Sequence, residues 1–323
     1  MKKAIIPFLL LFVLILSACG GQSSEEASSA DDQNENQEES SNNEEKSSDS
    51  SSETITYESE NGPVEVPANP ERVVVLSSFA GNLMALDVNL VGIDSWSKMN
   101  PRWEEELKDV EEVSAENLEK IIELNPDLII GLSNTKNVDK LKEIAPTVTY
   151  TYGKVDYLQQ HIEIGKLVNK EEQAKEWVED FKERAQSTGD KIREKIGEDT
   201  TVSVIEKFDK QIYVFGDNWG RGTEILYQEM NLKMPEKVKE MALEQGYYAI
   251  SPEVLPEYAG DYMIVSKNED TDNSFQETET YQNIPAVKND QVFEVNSKAF
   301  YFNDPNTLEY QLDYFQEAFL GEQ

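Results

Sequence analysis

Two α/β lobes, each built on a central, largely parallel sheet flanked by helices and joined by one long rigid helix, form the architecture this sequence predicts. Three observations carry that expectation. From residue 72 onward, short apolar runs alternate with amphipathic stretches, the pattern of βα units laid on a parallel sheet. Residues 170–196 then repeat apolar positions at helical spacing. After residue 201 the alternation resumes and runs to a last amphipathic segment.

In the first lobe, residues 72–76, 90–93, 127–131 and 147–150 read as strands. Residues 117–124 and 138–145 read as helices that stop before Pro126 and Pro146, because a proline disfavours the α conformation in the residue before it. The connecting helix carries Ala174, Trp177, Val178, Phe181, Ala185, Ile192 and Ile196 on one stripe, with Ser187-Thr188-Gly189 weakening its centre. Strands at 201–205, 211–215, 261–265 and 292–295 make the second lobe, closed by a helix bearing Leu308, Leu312, Phe315 and Phe319. The expected boundaries are 54–169 for the first lobe, 170–196 for the helix and 197–323 for the second lobe.

Residues 1–18 have the parts of a secretory signal: Lys2 and Lys3, an apolar run from Ile5, and the small-residue end Leu16-Ser17-Ala18. The apolar run is too short to span a bilayer comfortably. With Cys19 the tetrapeptide resembles a bacterial lipobox, which implies a diacylglyceryl thioether on that cysteine and a chain tethered to the outer face of the cytoplasmic membrane. Cys19 is the single cysteine, so no intramolecular disulfide is expected and stability rests on the core. Residues 19–53 comprise that cysteine and an acidic, Ser-rich spacer without aromatic residues, a composition that cannot bury enough apolar surface to order itself.

The formal net charge is -35, and no Lys/Arg stripe compensates it, so nucleic acid is excluded as a partner. His161 is the single histidine, which rules out an imidazole-rich site for free zinc or manganese; it falls in a helical stretch as a surface or lobe-packing residue. No serine elbow, phosphate loop or metal-hydrolase helix is present, and a binding protein, not an enzyme, is expected.

The two halves echo one another. Glu119 stands eight positions before Asp127, which opens Leu128-Ile129-Ile130; Glu253 stands eight positions before Asp261, which opens Tyr262-Met263-Ile264-Val265. Between them, Gly216 and the run Gly220-Arg221-Gly222 bracket a turn after an apolar strand. Tyr213, Trp219 and Arg221 are thereby placed near the sheet edge where open α/β proteins bind ligands, although each alone also fits a core aromatic or a surface cation.

Four motifs carry a family resemblance: Pro70-Glu71-Arg72-Val73-Val74-Val75; Asn117-Leu118-Glu119-Lys120-Ile121 with Asn125-Pro126-Asp127-Leu128-Ile129-Ile130; Ile212-Tyr213-Val214-Phe215-Gly216 leading to Gly220-Arg221-Gly222; and Phe300-Tyr301-Phe302-Asn303-Asp304-Pro305 with Leu308-Glu309. Over residues 54–320 the chain resembles the substrate-binding lipoproteins of iron-siderophore ABC importers, and among them the ferric hydroxamate-binding branch.

That resemblance implies a shallow cleft between two lobes, small closure on ligand, and delivery of a ferric siderophore to a permease dimer with its ATPase by a monomeric carrier. It implies that Tyr213, Trp219 and Arg221 contact the chelate, joined by Tyr301 or Phe302, one of which faces core because consecutive residues point opposite ways. Trp96 and Trp103 are candidates for an aromatic cleft wall, with Phe79 and Asn82 nearby. Glu119 and Glu253 are implied to dock against the two permease subunits. The expected ligand is a ferric hydroxamate, the iron being held by the siderophore and no other cofactor being required. Ferric citrate or another iron chelate, haem and cobalamin are the alternatives within the same fold.

Overall fold

The computed structural model describes residues 53–321. The predicted signal segment, Cys19 and the spacer up to residue 52 lie outside the described residues.

The chain enters through a hairpin, β1 (Thr54–Ser59) and β2 (Gly62–Pro67), paired antiparallel from Thr54 opposite Pro67. It then builds a five-stranded parallel sheet in the order β5-β4-β3-β6-β7. These strands are β3 (Val73–Val75), β4 (Leu90–Ile93), β5 (Glu111–Glu112), β6 (Leu128–Leu132) and β7 (Thr147–Tyr150). β3 and β6 are buried on both faces, which is why they read as continuous apolar runs instead of alternating ones. The helices α1 (Ala80–Met84), α2 (Ser95–Lys98), α3 (Leu118–Glu123), α4 (Val138–Leu141) and α5 (Tyr157–Leu167) cover them.

The long helix α6 runs from Glu171 to Ile196 without a break. Ser187-Thr188-Gly189 does not interrupt it: Thr188 is buried, and Gly189 lies so close to the backbone of Met230 that a side chain there would collide. Ala174 belongs to the core under the first sheet, whereas Phe181, Ala185 and Ile192 belong to the core under the second. One continuous helix is thus packed into both.

The second sheet has the order β10-β9-β8-β11-β12, from β8 (Val202–Phe208), β9 (Gln211–Phe215), β10 (Tyr247–Ile250), β11 (Tyr262–Lys267) and β12 (Val292–Asn296). β8, β11 and β12 run parallel, but β9 pairs antiparallel with both β8 and β10 and runs against the other four strands, so this sheet is less parallel than expected. The cause is local. Asp209 at φ 52° lets the chain reverse within two residues, and a tight hairpin can only join antiparallel strands.

The echo between halves is structural as well. Asp127 accepts the amides of Glu71 (2.6 Å) and Arg72 (3.0 Å) where β3 begins, and Asp261 accepts the amide and hydroxyl of Thr201 (2.8 and 2.9 Å) where β8 begins. Each aspartate pins the start of a neighbouring parallel strand. Glu119 lies in the first turn of α3 and Glu253 in the first turn of the short 3-10 segment Pro252–Glu257, both exposed.

Candidate functional site

The carboxyl ends of β3, β4, β6 and β7 point toward a cleft between the sheets, where open α/β folds place ligands. From this side come Ser78, Trp96, Leu132 and Tyr152. Trp96 is held by an N-cap: the Asp94 carboxylate accepts the amides of Trp96 (2.9 Å) and Ser97 (3.2 Å), leaving the indole 44% exposed.

The opposing wall follows from strand alternation. Glu206 and Phe208 on β8, Tyr213 and Phe215 on β9, and Tyr247 and Ala249 on β10 share one face through the registers Glu206 opposite Tyr213, Phe215 opposite Tyr247 and Tyr213 opposite Ala249. Phe208, Tyr213, Phe215 and Tyr247 line the cleft, and Trp219 meets Tyr247 edge-on at 5.0 Å between centroids. The lined volume is about 490 Å³. A second, more polar chamber of about 480 Å³ adjoins it through Ser78, Leu132, Tyr152 and Asn303, and its walls include Phe79, Asn82, Asp217 and Glu224.

The turn between β9 and the next helix is unusually bent. Gly220, Arg221 and Gly222 take φ values of 66°, 60° and 84° in succession, and a side chain on Gly220 would collide with the Tyr301 carbonyl. Arg221 has no such excuse as a residue type, so its left-handed backbone is strain held in place by its amide bond to the Phe300 carbonyl at 2.6 Å. The segment that follows forms a wide π-type turn, Glu224–Glu229, closed by Met230 donating to the Ile225 carbonyl at 2.8 Å.

Arg221 is the single Lys or Arg among the residues lining the aromatic chamber. Its Nε donates to buried Glu206 at 2.8 Å and its Nη1 to the Trp219 carbonyl at 2.8 Å, while the guanidinium lies over the rings of Tyr301 (4.4 Å) and Phe215 (4.7 Å). Glu206 also accepts Tyr301 Oη at 3.0 Å and Ser266 Oγ at 2.7 Å. Burial pushes the Tyr301 phenol above its ordinary value, so it donates throughout the neutral range.

The structure therefore brings Trp96, Tyr213, Trp219, Arg221, Tyr301 and Phe302 to one cavity. Tyr301 is the residue that faces it, 5.3 Å from Trp96, while Phe302 is 5% exposed and sits in the core of the first lobe. Trp103 is a correction: it is 4% exposed and packs at 4.9 Å against the far side of Phe302, since the loop after α2 turns it inward. It backs the wall and does not line it. His161 is a lobe-packing residue, its Nδ1 3.1 Å from Asn82 Oδ1.

Tyr152, Phe208, Tyr247 and Glu206 lie outside the expected set. Tyr152 stands two residues past the end of β7, so its place at a parallel strand's carboxyl end was a readable signal. Glu206 stands beside Lys207 after the mostly apolar start of β8, a pair of charges that did not by itself point to the site. Phe208 and Tyr247 depend on the antiparallel pairing and had no readable signal.

An aromatic cleft between two lobes tied by one helix, fed from the carboxyl ends of parallel strands, is the architecture of a solute-binding protein. Residues 73–299 match the periplasmic binding protein family, and the chain belongs to it. Among its relatives it is 36% identical over 274 residues to the iron(3+)-hydroxamate-binding protein FhuD of Bacillus subtilis, spanning 83% of this chain and 87% of that one. It is 37% identical over 271 residues to the iron(3+)-hydroxamate-binding protein YxeB of the same organism, spanning 81% and 84%. The structure of FhuD2 from Staphylococcus aureus with bound ferrioxamine B superposes with a TM-score of 0.74 at 32% identity, covering 78% of this chain and 99% of that one. The family is one of extracytoplasmic binding proteins.

Proposed function

We propose that this chain captures a ferric hydroxamate siderophore in the aromatic cleft and delivers it to an ABC importer. The observation that carries this reading is the cleft wall itself: aromatic rings from both lobes surround one guanidinium that is already paired with a buried carboxylate. Such a wall suits a chelate with apolar linkers and little net charge, whose iron-bound oxygens retain lone pairs for the free Nη2 donor. A multiply anionic catecholate complex would instead call for a cluster of cations. The relatives named for ferric hydroxamates support the same class.

In this reading Tyr213, Trp219, Arg221, Tyr301 and Trp96 contact the chelate, with Phe302 and Trp103 supporting the wall. Cys19 carries the lipid that holds the monomer at the outer face of the membrane. Glu119 and Glu253 meet the two permease subunits. The test is titration of the purified protein with ferric hydroxamates, ferric catecholates, ferric citrate and haem, read by quenching of tryptophan fluorescence. Saturable quenching by ferric hydroxamates is expected, and saturable binding of catecholates alone would overturn the assignment.

A further inference from the structure

Glu206 is 0% exposed and does not line the cleft, yet it holds three groups around it: Arg221 Nε, Ser266 Oγ and Tyr301 Oη, at 2.8, 2.7 and 3.0 Å. A buried ion pair of this kind is a poor device for stability, because the desolvation of both charges offsets most of their attraction and an apolar pair of similar volume does as well. Its effect on the cleft is more specific. The carboxylate fixes the guanidinium plane by engaging Nε, and it cancels the one positive charge on the aromatic wall. In the adjoining chamber Asp217 and Glu224 form no ion pair among the described residues, and Lys154 is already engaged by Glu60 at 3.4 Å. Among the described residues lining the two chambers, the cations are Arg221 and Lys154, and each has a carboxylate partner.

We propose that Glu206 is the positioning residue that sets the charge selectivity of the site, keeping Arg221 as an oriented hydrogen-bond donor without net positive charge so that neutral or cationic ferric chelates are accepted and multiply anionic ones are refused. This rests on the reading of the cleft as a ferric siderophore site. Placing Gln at position 206 retains an acceptor oxygen for Arg221 or Tyr301 while removing the negative charge, so Arg221 becomes an uncompensated cation in a low-dielectric wall.

The experiment measures the affinity of wild type, Glu206→Gln and Glu206→Asp for ferrioxamine B, a ferric tris-catecholate and ferric citrate, at two ionic strengths. Glu206→Gln is expected to shift the ratio of catecholate to hydroxamate affinity by about tenfold or more toward the anion, with the shift shrinking in high salt. Glu206→Asp keeps the charge and is expected to keep the wild-type ratio even where both affinities fall. A merely structural role would weaken all chelates together and leave the ratio unmoved, which overturns the proposal. Should Glu206→Gln fail to fold, the double variant Glu206→Gln/Arg221→Gln removes both charges together, and its ratio is expected to stay near wild type; a tenfold departure overturns the proposal equally. Failure of wild type to bind ferrioxamine B would instead refute the underlying siderophore reading.

Discussion

Phe302 lies against Trp103 at 4.9 Å between ring centroids, inside the core of the first lobe, although its chain position places it among the last elements of the second. Two residues on, the carboxylate of Asp304 occupies the space a side chain on Gly81 would need, and Asn306 Nδ2 donates to the Gly81 carbonyl at 3.5 Å. These residues lead into the C-terminal helix (Pro305–Leu320), which Arg184 on α6 holds within the second half by clamping Glu309 through both of its terminal nitrogens, at 2.7 and 2.5 Å. The two halves are thus joined by contacts beyond the single helix.

Phe302→Ala is therefore expected to cost about 3–5 kcal/mol, the scale for deleting a buried aromatic ring. Urea unfolding at neutral pH checks it. A loss under about 1 kcal/mol would mean the ring is not part of the first lobe's core.

Arg221→Ala is expected to weaken ferric hydroxamate binding by about 1.5–3 kcal/mol, the scale of a charge-assisted hydrogen bond. It also strands Glu206 as a buried carboxylate without its cation, so the melting temperature should fall as well. Arg221→Lys should recover only part of the affinity, because the planar fork that reaches Glu206 and the chelate together is lost. Isothermal titration with ferrioxamine B and thermal unfolding separate the two effects; unchanged affinity in a folded Arg221→Ala protein removes Arg221 from the site.

Glu119→Ala and Glu253→Ala should leave chelate affinity intact, since both side chains are exposed on helical turns away from the cleft lining, yet reduce cellular uptake of the chelate. The double variant should be worse, and charge reversal to Lys worse than Ala. Normal uptake by the double variant would return both residues to solvated surface glutamates.

The pH response around α1 has opposite signs on its two sides. Burial holds His161 down at about 4, below the ordinary 6.5, so its contribution is present above pH 6.5 and is lost as the pH falls toward 4. Burial pushes Asp304 up to about 6 from 3.8, so its contribution is present below 3.8 and is lost as the pH rises through 6. Each is worth about 3 kcal/mol at full shift. Relative to wild type, His161→Gln should gain stability as the pH drops from 6.5 to 4, and Asp304→Asn should gain it as the pH climbs from 4 to 7. Denaturant titrations across that range give the slopes, and parallel curves for wild type and variants would contradict both.

How much of this was legible follows residue by residue. The parallel strands were, because Val73–Val75 and Leu128–Leu132 are buried on both faces and write themselves as apolar runs. The entry hairpin was marked by Asn61-Gly62 between alternating residues, but lies outside the expected elements. The β8–β9 reversal was not legible, since Asp209 takes a left-handed conformation without a glycine to announce it. At the site, Tyr213, Trp219 and Arg221 were placed by a glycine-bracketed turn within one stretch of chain. Glu206 meets Ser266 and Tyr301 across 60 and 95 positions, a distance at which pairing is a property of the fold.

The ties at Phe302, Asp304 and Asn306 are protein on protein throughout, and that bears on how the cleft is emptied. A hinged jaw stores some of its ligand's binding energy in closing and can return it on release. A mould whose halves are already fastened keeps no such spring. Under the proposed function, entry and exit then depend on the aromatic wall itself more than on any swing of the halves. The fasteners at residues 302–306 are where a parting of the halves would be resisted.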